Sequence, residues 1–152
     1  MAIRHPAVVR KLVVVSVTVK HEGWYPEVLA GFAQMSPATA EPVKQSPLSQ
    51  PCPHVDWAVL FTKLGLLLRQ DYDWSRQVAV FQMPTLLVYA DADAIRTAHI
   101  VDFYCLLGGG QRAAGLDGFG RSGNQLAILP GQTHYAVLTS PLLPPVVRAI
   151  SE

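Results

Sequence analysis

Pro84-Thr85-Leu86-Leu87-Val88-Tyr89-Ala90-Asp91-Ala92-Asp93 is the stretch that decides the fold. Thr85 to Ala90 form a nearly unbroken apolar run that starts after a proline and ends in two carboxylates. A strand with one wet face alternates apolar and polar residues, whereas one this continuously apolar is expected to be covered on both faces, as in a parallel sheet between helices. Two further stretches read the same way: Leu12-Val13-Val14-Val15-Ser16-Val17, a β-branched block, and Gln125-Leu126-Ala127-Ile128-Leu129, which leads into Pro130-Gly131. Parallel strands need crossovers, and the run from Thr97 to Leu107 supplies a helical one. Gly108-Gly109-Gly110 stops that helix, and a flexible loop is expected through Gly123. A short last helix is expected near Pro145 to Ile150. The fold class is therefore α/β, with about three parallel strands and flanking helices.

The stretch from Lys20 to Val80 has a different character. It holds all three tryptophans and is broken by Pro37, Pro42, Pro47, Pro51 and Pro53. Two helical patterns stand out, near Tyr25 to Met35 and from Val55 to Arg69. In the second, Trp57, Leu60, Phe61, Leu64, Leu67 and Leu68 recur at three- and four-residue steps and make one apolar face, which ordinary core packing explains. About 60 mostly helical residues between two parallel strands read as an insertion capping the strand ends. The expected organisation is a first strand and its approach in 1–19, the helical insertion in 20–80, and a β-α-β-α remainder in 81–152. No internal repeat is visible.

Composition excludes several classes. The chain has 152 residues, of which 50% are hydrophobic and 15% charged, which is globular. A chain of this length buries roughly 70% of the surface its unfolded form exposes, enough for a core of its own. Lys+Arg 12 against Asp+Glu 11 gives a net charge of +1, and the basic residues are scattered. No electrostatic footprint for nucleic acid or an anionic membrane follows from that. Leu12 to Val19 is far short of the roughly 18 residues a membrane span requires. The N-terminus lacks the sections of a secretory signal, so a cytoplasmic location is expected. Cys52 and Cys105 lie far apart and read as free thiols.

Ligands and catalytic groups in open α/β sheets gather beyond the carboxyl ends of the strands. Asp91 and Asp93 follow the second strand, and Pro130-Gly131-Gln132-Thr133-His134 follows the third, so an acid and a histidine emerge at one edge of the sheet. A carboxylate that accepts the imidazole N–H fixes the tautomer and stabilises the imidazolium formed when the ring takes a proton from a nucleophile. Two decoys fall away. Gly118-Phe119-Gly120-Arg121-Ser122-Gly123 fits G-x-G-x-x-G, yet it precedes a strand, and the next acidic residue is Glu152. The His and Cys residues lack the short paired spacings of a zinc site, so neither metal nor cofactor is expected.

These pieces resemble the C-terminal half of an α/β-hydrolase, whose chain order is nucleophile, acid, histidine. On that resemblance, residues 2–15 are similar to the end of the helix after the nucleophile elbow and the sixth strand, Trp24 to Trp74 to the cap insertion, Pro84 to Asp93 to the seventh strand with its acid turn, and Leu126 to His134 to the eighth strand with its histidine. The resemblance implies a partial α/β-hydrolase fold in which His134 is the general base and Asp93 its orienting acid, with Asp91 the alternative acid. It implies that Trp24, Trp57 and Phe61 help shape an apolar substrate pocket, and it leaves His5, His21, His54 and His99 as surface or helix residues.

The family's nucleophile-bearing half has no counterpart here. Gly120-Arg121-Ser122-Gly123 is a near miss to G-x-S-x-G in a loop that enters a strand, and Ser16 has no flanking glycines to turn a sharp elbow. Two readings follow. Either the chain is half of a hydrolase site, acting on a small-molecule substrate once a nucleophile is supplied, or it is a truncated, inactive fragment that survives as a binding or interaction module. In both, the strand from Leu12 to Val17 is an open edge, expected to self-associate or to pair with a complementing chain. Serine as the missing nucleophile implies ester or related acyl hydrolysis, and aspartate implies epoxide or carbon–halogen cleavage.

Overall fold

A computed structural model describes residues 1–50 and 52–151. Pro51 and Glu152, both part of the sequence reading, lie outside the described residues. In chain order the elements are β1 (Leu12–Val15), α1 (Pro26–Gln34), α2 (Glu41–Lys44), α3 (Trp57–Leu68), α4 (Ser75–Val78), β2 (Thr85–Ala92), α5 (Thr97–Leu106), β3 (Gln125–Thr133) and α6 (Leu143–Ser151), with short 3-10 turns between several of them. They divide into two compact units, one of residues 1–23 and 72–152 and one of residues 24–71. The helical unit begins four residues after and ends nine residues before the 20–80 bounds drawn from composition.

The first unit is built on an open, wholly parallel sheet of three strands in the order β1-β2-β3. Val13 pairs with Leu86 and Val15 with Val88, while Leu87 pairs with Leu126 and Tyr89 with Ile128. Only the central strand is covered on both faces: Thr85 to Ala90 are all buried, whereas β1 is half-buried and β3 is half-exposed over much of its length. The expectation of double burial therefore holds for one strand of three. Position explains this, because β1 and β3 each have one neighbour within the described residues, and β-branched composition alone does not distinguish an edge from a centre.

One face of the sheet carries a compact core. Leu86, Val88 and Ala90 of β2 and Leu129 of β3 meet Val137 and Ile150, with Val13, Val15, Leu143 and Val146 packed around them. Leu143, Val146 and Ile150 lie three and four residues apart on α6, so its apolar stripe covers the sheet. Lys11 Nζ donates to Ile150 O at 2.6 Å and satisfies a carbonyl near the helix end. Residues 2–11, expected as the tail of a helix, form turns and one 3-10 turn at Pro6–Val8. A stretch this short cannot offset helix nucleation without a longer run of hydrogen bonds before it.

Behind β1 the chain is pinned by side chains of the same unit. Tyr89 donates to Val17 O at 2.7 Å, Thr18 hydrogen-bonds Tyr72, and the Val19 amide donates to His99 Nε2 at 3.2 Å. His99, expected as a surface or helix residue, lies on α5 but is buried, 3% exposed, and its ring lies so close to Gly23 that a Cβ there would sit 2.6 Å from it. Burial, with the nearby Lys20 and Arg96 charges, lowers the His99 pKa against the weaker pull of Asp102 and Glu22.

A histidine lowered on folding binds fewer protons folded than unfolded, so its contribution is full above the ordinary value of 6.5 and fades as pH falls toward the folded value. Denaturant titrations should show stability declining from pH 7 to pH 5, with a flatter slope in His99→Gln. An unchanged slope in that variant would assign the decline to other groups.

The second unit is helical. The Asp56 side chain accepts from the Val59 amide at 3.0 Å and caps α3, which packs on α1 and on the 3-10 turn at Pro37–Ala40. Gly65 is required there, because a Cβ would sit 2.6 Å from Met35 O, and Arg69 donates to that same carbonyl at 2.9 Å. Gly65→Ala should therefore unfold this unit at lower denaturant than the sheet unit, which separate helical and sheet signals would resolve.

Candidate active site

The carboxyl ends of β2 and β3 give the two aspartates different partners. β3 does not stop at Leu129: Ala90 pairs with Leu129 and Ala92 with Thr133, so β3 spends four residue steps where β2 spends two. The excess is a bulge at Pro130-Gly131, where proline lacks an N–H and Gly131 takes φ +67°. Asp91 fills the gap in the ladder. Its carboxylate accepts from the Gly131 amide at 2.9 Å and the Gln132 amide at 3.0 Å, and these bonds hold its pKa below the usual carboxylate value. Asp91 thus pins the loop that leads to His134.

Asp93 reaches the histidine itself. His134 Nδ1 lies 2.8 Å from Asp93 Oδ1, and the Asp93 side chain is 1% exposed against 22% for His134. Asp93 Oδ1 also accepts from the Ile95 amide at 3.3 Å, and Oδ2 from the Ala90 amide at 3.1 Å. Burial alone would raise this carboxyl, but hydrogen bonds from His134, Ser16 and Ala90 outweigh it, and the pKa is lowered. Asp93 is then an ion at neutral pH that can only accept, so Nδ1 carries the proton. Nε2 is the ring atom with a basic lone pair.

Ser16 completes the surroundings of the acid. β1 ends at Val15, two residues before the expected limit, because Ser16 takes φ +46° and turns the chain out of the strand. Its amide still bonds Val88 O at 2.9 Å, and its Oγ donates to Asp93 Oδ2 at 2.7 Å. The sequence weighed Ser16 only as a nucleophile. The missed signal is positional: in a parallel sheet the residue ending β1 lies beside the end of β2, where the acid turn begins.

Trp24, Trp57 and Phe61 belong to the helical unit, where Trp24 meets Phe32 edge-on at 5.2 Å, Trp57 is half-buried and Phe61 is buried. His5 and His54 are exposed, and His21 stacks edge-on with Tyr72. Ser122 accepts from the Asn124 amide in the loop before β3. Both cysteines are free and exposed. Among the described residues no group of three His, Cys, Asp or Glu side chains could hold a metal ion, and no helix is long and apolar enough to cross a membrane. A cavity of about 470 Å³ opens beside β1, lined by Val14, Val17, Val19, Trp74 and Phe103 among others, and includes neither Asp93 nor His134.

Known structures share this architecture. E-2-(acetamidomethylene)succinate hydrolase superposes with a TM-score of 0.59 at 14% identity, over 99% of this chain and 59% of that one. Carboxylesterase CesB of Bacillus subtilis gives 0.56 at 17% identity, over 99% and 53%. MGS-M2, described as an α/β hydrolase enzyme from a Medee basin deep-sea metagenome library, gives 0.56 at 14%, over 99% and 59%. The fold is a partial α/β-hydrolase fold. The chain spans between half and three-fifths of the length of these proteins. No protein-family model and no curated protein matches the sequence. In this α/β-hydrolase fold the acid and histidine stand at the ends of adjacent strands, where the general rule for open sheets places a site.

Proposed function

We propose that the chain carries the acid–histidine half of a hydrolase site, with His134 as general base and Asp93 as the group that orients it and stabilises its charged form. The contact of Nδ1 with Asp93 Oδ1 at 2.8 Å carries this reading. The substrate class is an ester or related acyl compound, the chemistry of a serine nucleophile. His134 Nε2 takes the hydroxyl proton as the oxygen attacks the acyl carbon, then returns it to the leaving group.

Neither serine weighed as a nucleophile suits that role. Ser16 gives its proton to Asp93, and Ser122 sits in the loop before β3. The nucleophile is therefore assigned to a segment outside these 152 residues, on a strand that pairs along the open edge of β1. In the coding DNA, an in-frame glycine-flanked serine upstream of Met1 is the expected finding.

Purified chain, and the chain joined to any such upstream segment, should be assayed on short p-nitrophenyl esters alongside His134→Ala. The joined protein is expected to turn over and its His134→Ala variant to lose about 10³-fold or more. Equal rates would remove His134 from the mechanism and favour a binding module.

A further inference from the structure

We propose that Ser16 is a positioning residue for the acid, and that its hydroxyl sets the plane in which the Asp93 carboxylate meets His134. The inference rests on the dyad reading above and deepens it. The terminal torsion of an aspartate is broad and roughly two-fold, so the side chain does not choose its own carboxylate plane. Neighbours must choose it. Oδ1 is shared by His134 Nδ1 and the Ile95 amide, and Oδ2 by the Ala90 amide and Ser16 Oγ.

Three of those four groups come from β2, the acid turn that follows it or the histidine loop. Ser16 alone comes from the residue that follows β1, so it ties the acid to the far side of the sheet from the histidine loop. Its 2.7 Å bond is the shortest of the four. Ser16 is 8% exposed, which leaves little room for water to replace its hydroxyl. The backbone supplies a second argument. At φ +46° glycine is the residue without strain, and Ser16 is the only non-glycine with positive φ among the described residues. A serine held where the backbone favours glycine is explained by what its side chain does.

Ser16→Gly is the discriminating variant, because it relieves the backbone while deleting the hydroxyl. In the 152-residue chain, the Asp93 carboxyl followed by carbon-13 NMR should titrate at higher pH than in the unaltered chain, having lost a donor to its charged form. The His134 ring nitrogens followed by nitrogen-15 NMR should move from the Nδ1–H tautomer toward a mixture. Ser16→Ala should match Ser16→Gly in both signals while folding less stably. A Ser16→Gly protein with unaltered Asp93 titration and unaltered His134 tautomer would overturn the proposal, because a merely structural serine leaves both unmoved.

Should both variants fail to fold, the unaltered chain decides. Its Ser16 hydroxyl proton is expected to exchange slowly with solvent while Asp93 is ionised, and fast exchange would overturn the proposal. These signals are independent of turnover. Shifted NMR signals together with absent ester hydrolysis by the chain joined to its upstream nucleophile segment would sink the hydrolase reading and leave the positioning role intact.

Discussion

Asp93→Asn lowers ester hydrolysis by the nucleophile-completed protein by about 10⁴-fold, the cost expected when the histidine of such a site is held in the wrong tautomer. The geometry says why. Four donors converge on the Asp93 carboxylate, and an amide can accept at only one of its two heavy atoms. If the amide nitrogen replaces Oδ2, it faces the Ser16 hydroxyl and the Ala90 amide; if it replaces Oδ1, it faces His134 and the Ile95 amide. The second orientation wins. Imidazole can move its proton to Nε2 and accept at Nδ1, and the Ile95 contact at 3.3 Å is the weakest of the four to give up.

That adjustment protects the fold and removes the base. A ring protonated at Nε2 has no lone pair there to take a proton from a nucleophile. The folded state still loses an ionic acceptor at a side chain that is 1% exposed, and leaving a donor unpaired costs about 1–3 kcal/mol. The pH dependence changes as well. Because the Asp93 pKa is lowered on folding, its stabilisation is full above the ordinary value of 3.8 and fades as pH falls toward the folded value. Asp93→Asn should flatten that acid limb. Nitrogen-15 NMR of His134 and ester kinetics check the two halves of the prediction, and a variant with the Nδ1–H tautomer and full rate would sink it.

That an aspartate and a histidine emerge at one edge of the sheet was legible in the sequence because both lie just past strongly apolar strands, but which of Asp91 and Asp93 contacts His134 was not. Two residues apart, they fall on the same side of an ideal strand. What separates them is the bulge at Pro130-Gly131, which gives Asp91 two amides to bind and leaves Asp93 to meet His134. A bulge is a property of two strands together, and neither strand's own pattern encodes it. The backbone of Ser16 escaped for a similar reason: positive φ at a non-glycine residue has no compositional signature. His99 did carry a signal. His99, Ile100 and Phe103 sit at helical spacing on one face of α5, and all three are buried.

Burial is where the apolar runs misled most, and Leu86→Ala paired with Ile128→Ala tests it. Both residues sit inside unbroken apolar stretches and read alike in sequence. Leu86 is 2% exposed on the central strand, within the cluster of Val88, Leu129, Val137 and Ile150, whereas Ile128 is 42% exposed on β3. Truncating a buried leucine removes its transfer free energy and leaves a cavity that its neighbours only partly fill, about 2–5 kcal/mol in all. Against a total stability of about 5–15 kcal/mol for an ordinary domain, that is a substantial share of the whole. Ile128→Ala leaves no enclosed cavity, so its cost should stay below about 1 kcal/mol. Urea unfolding of the two variants checks the contrast, with midpoints compared at unchanged slope. Equal losses would mean that Ile128 is covered in solution by something outside the described residues. A difference in the expected direction would show that the apolar run of β2 is matched by a core that leaves Ile128 of β3 uncovered.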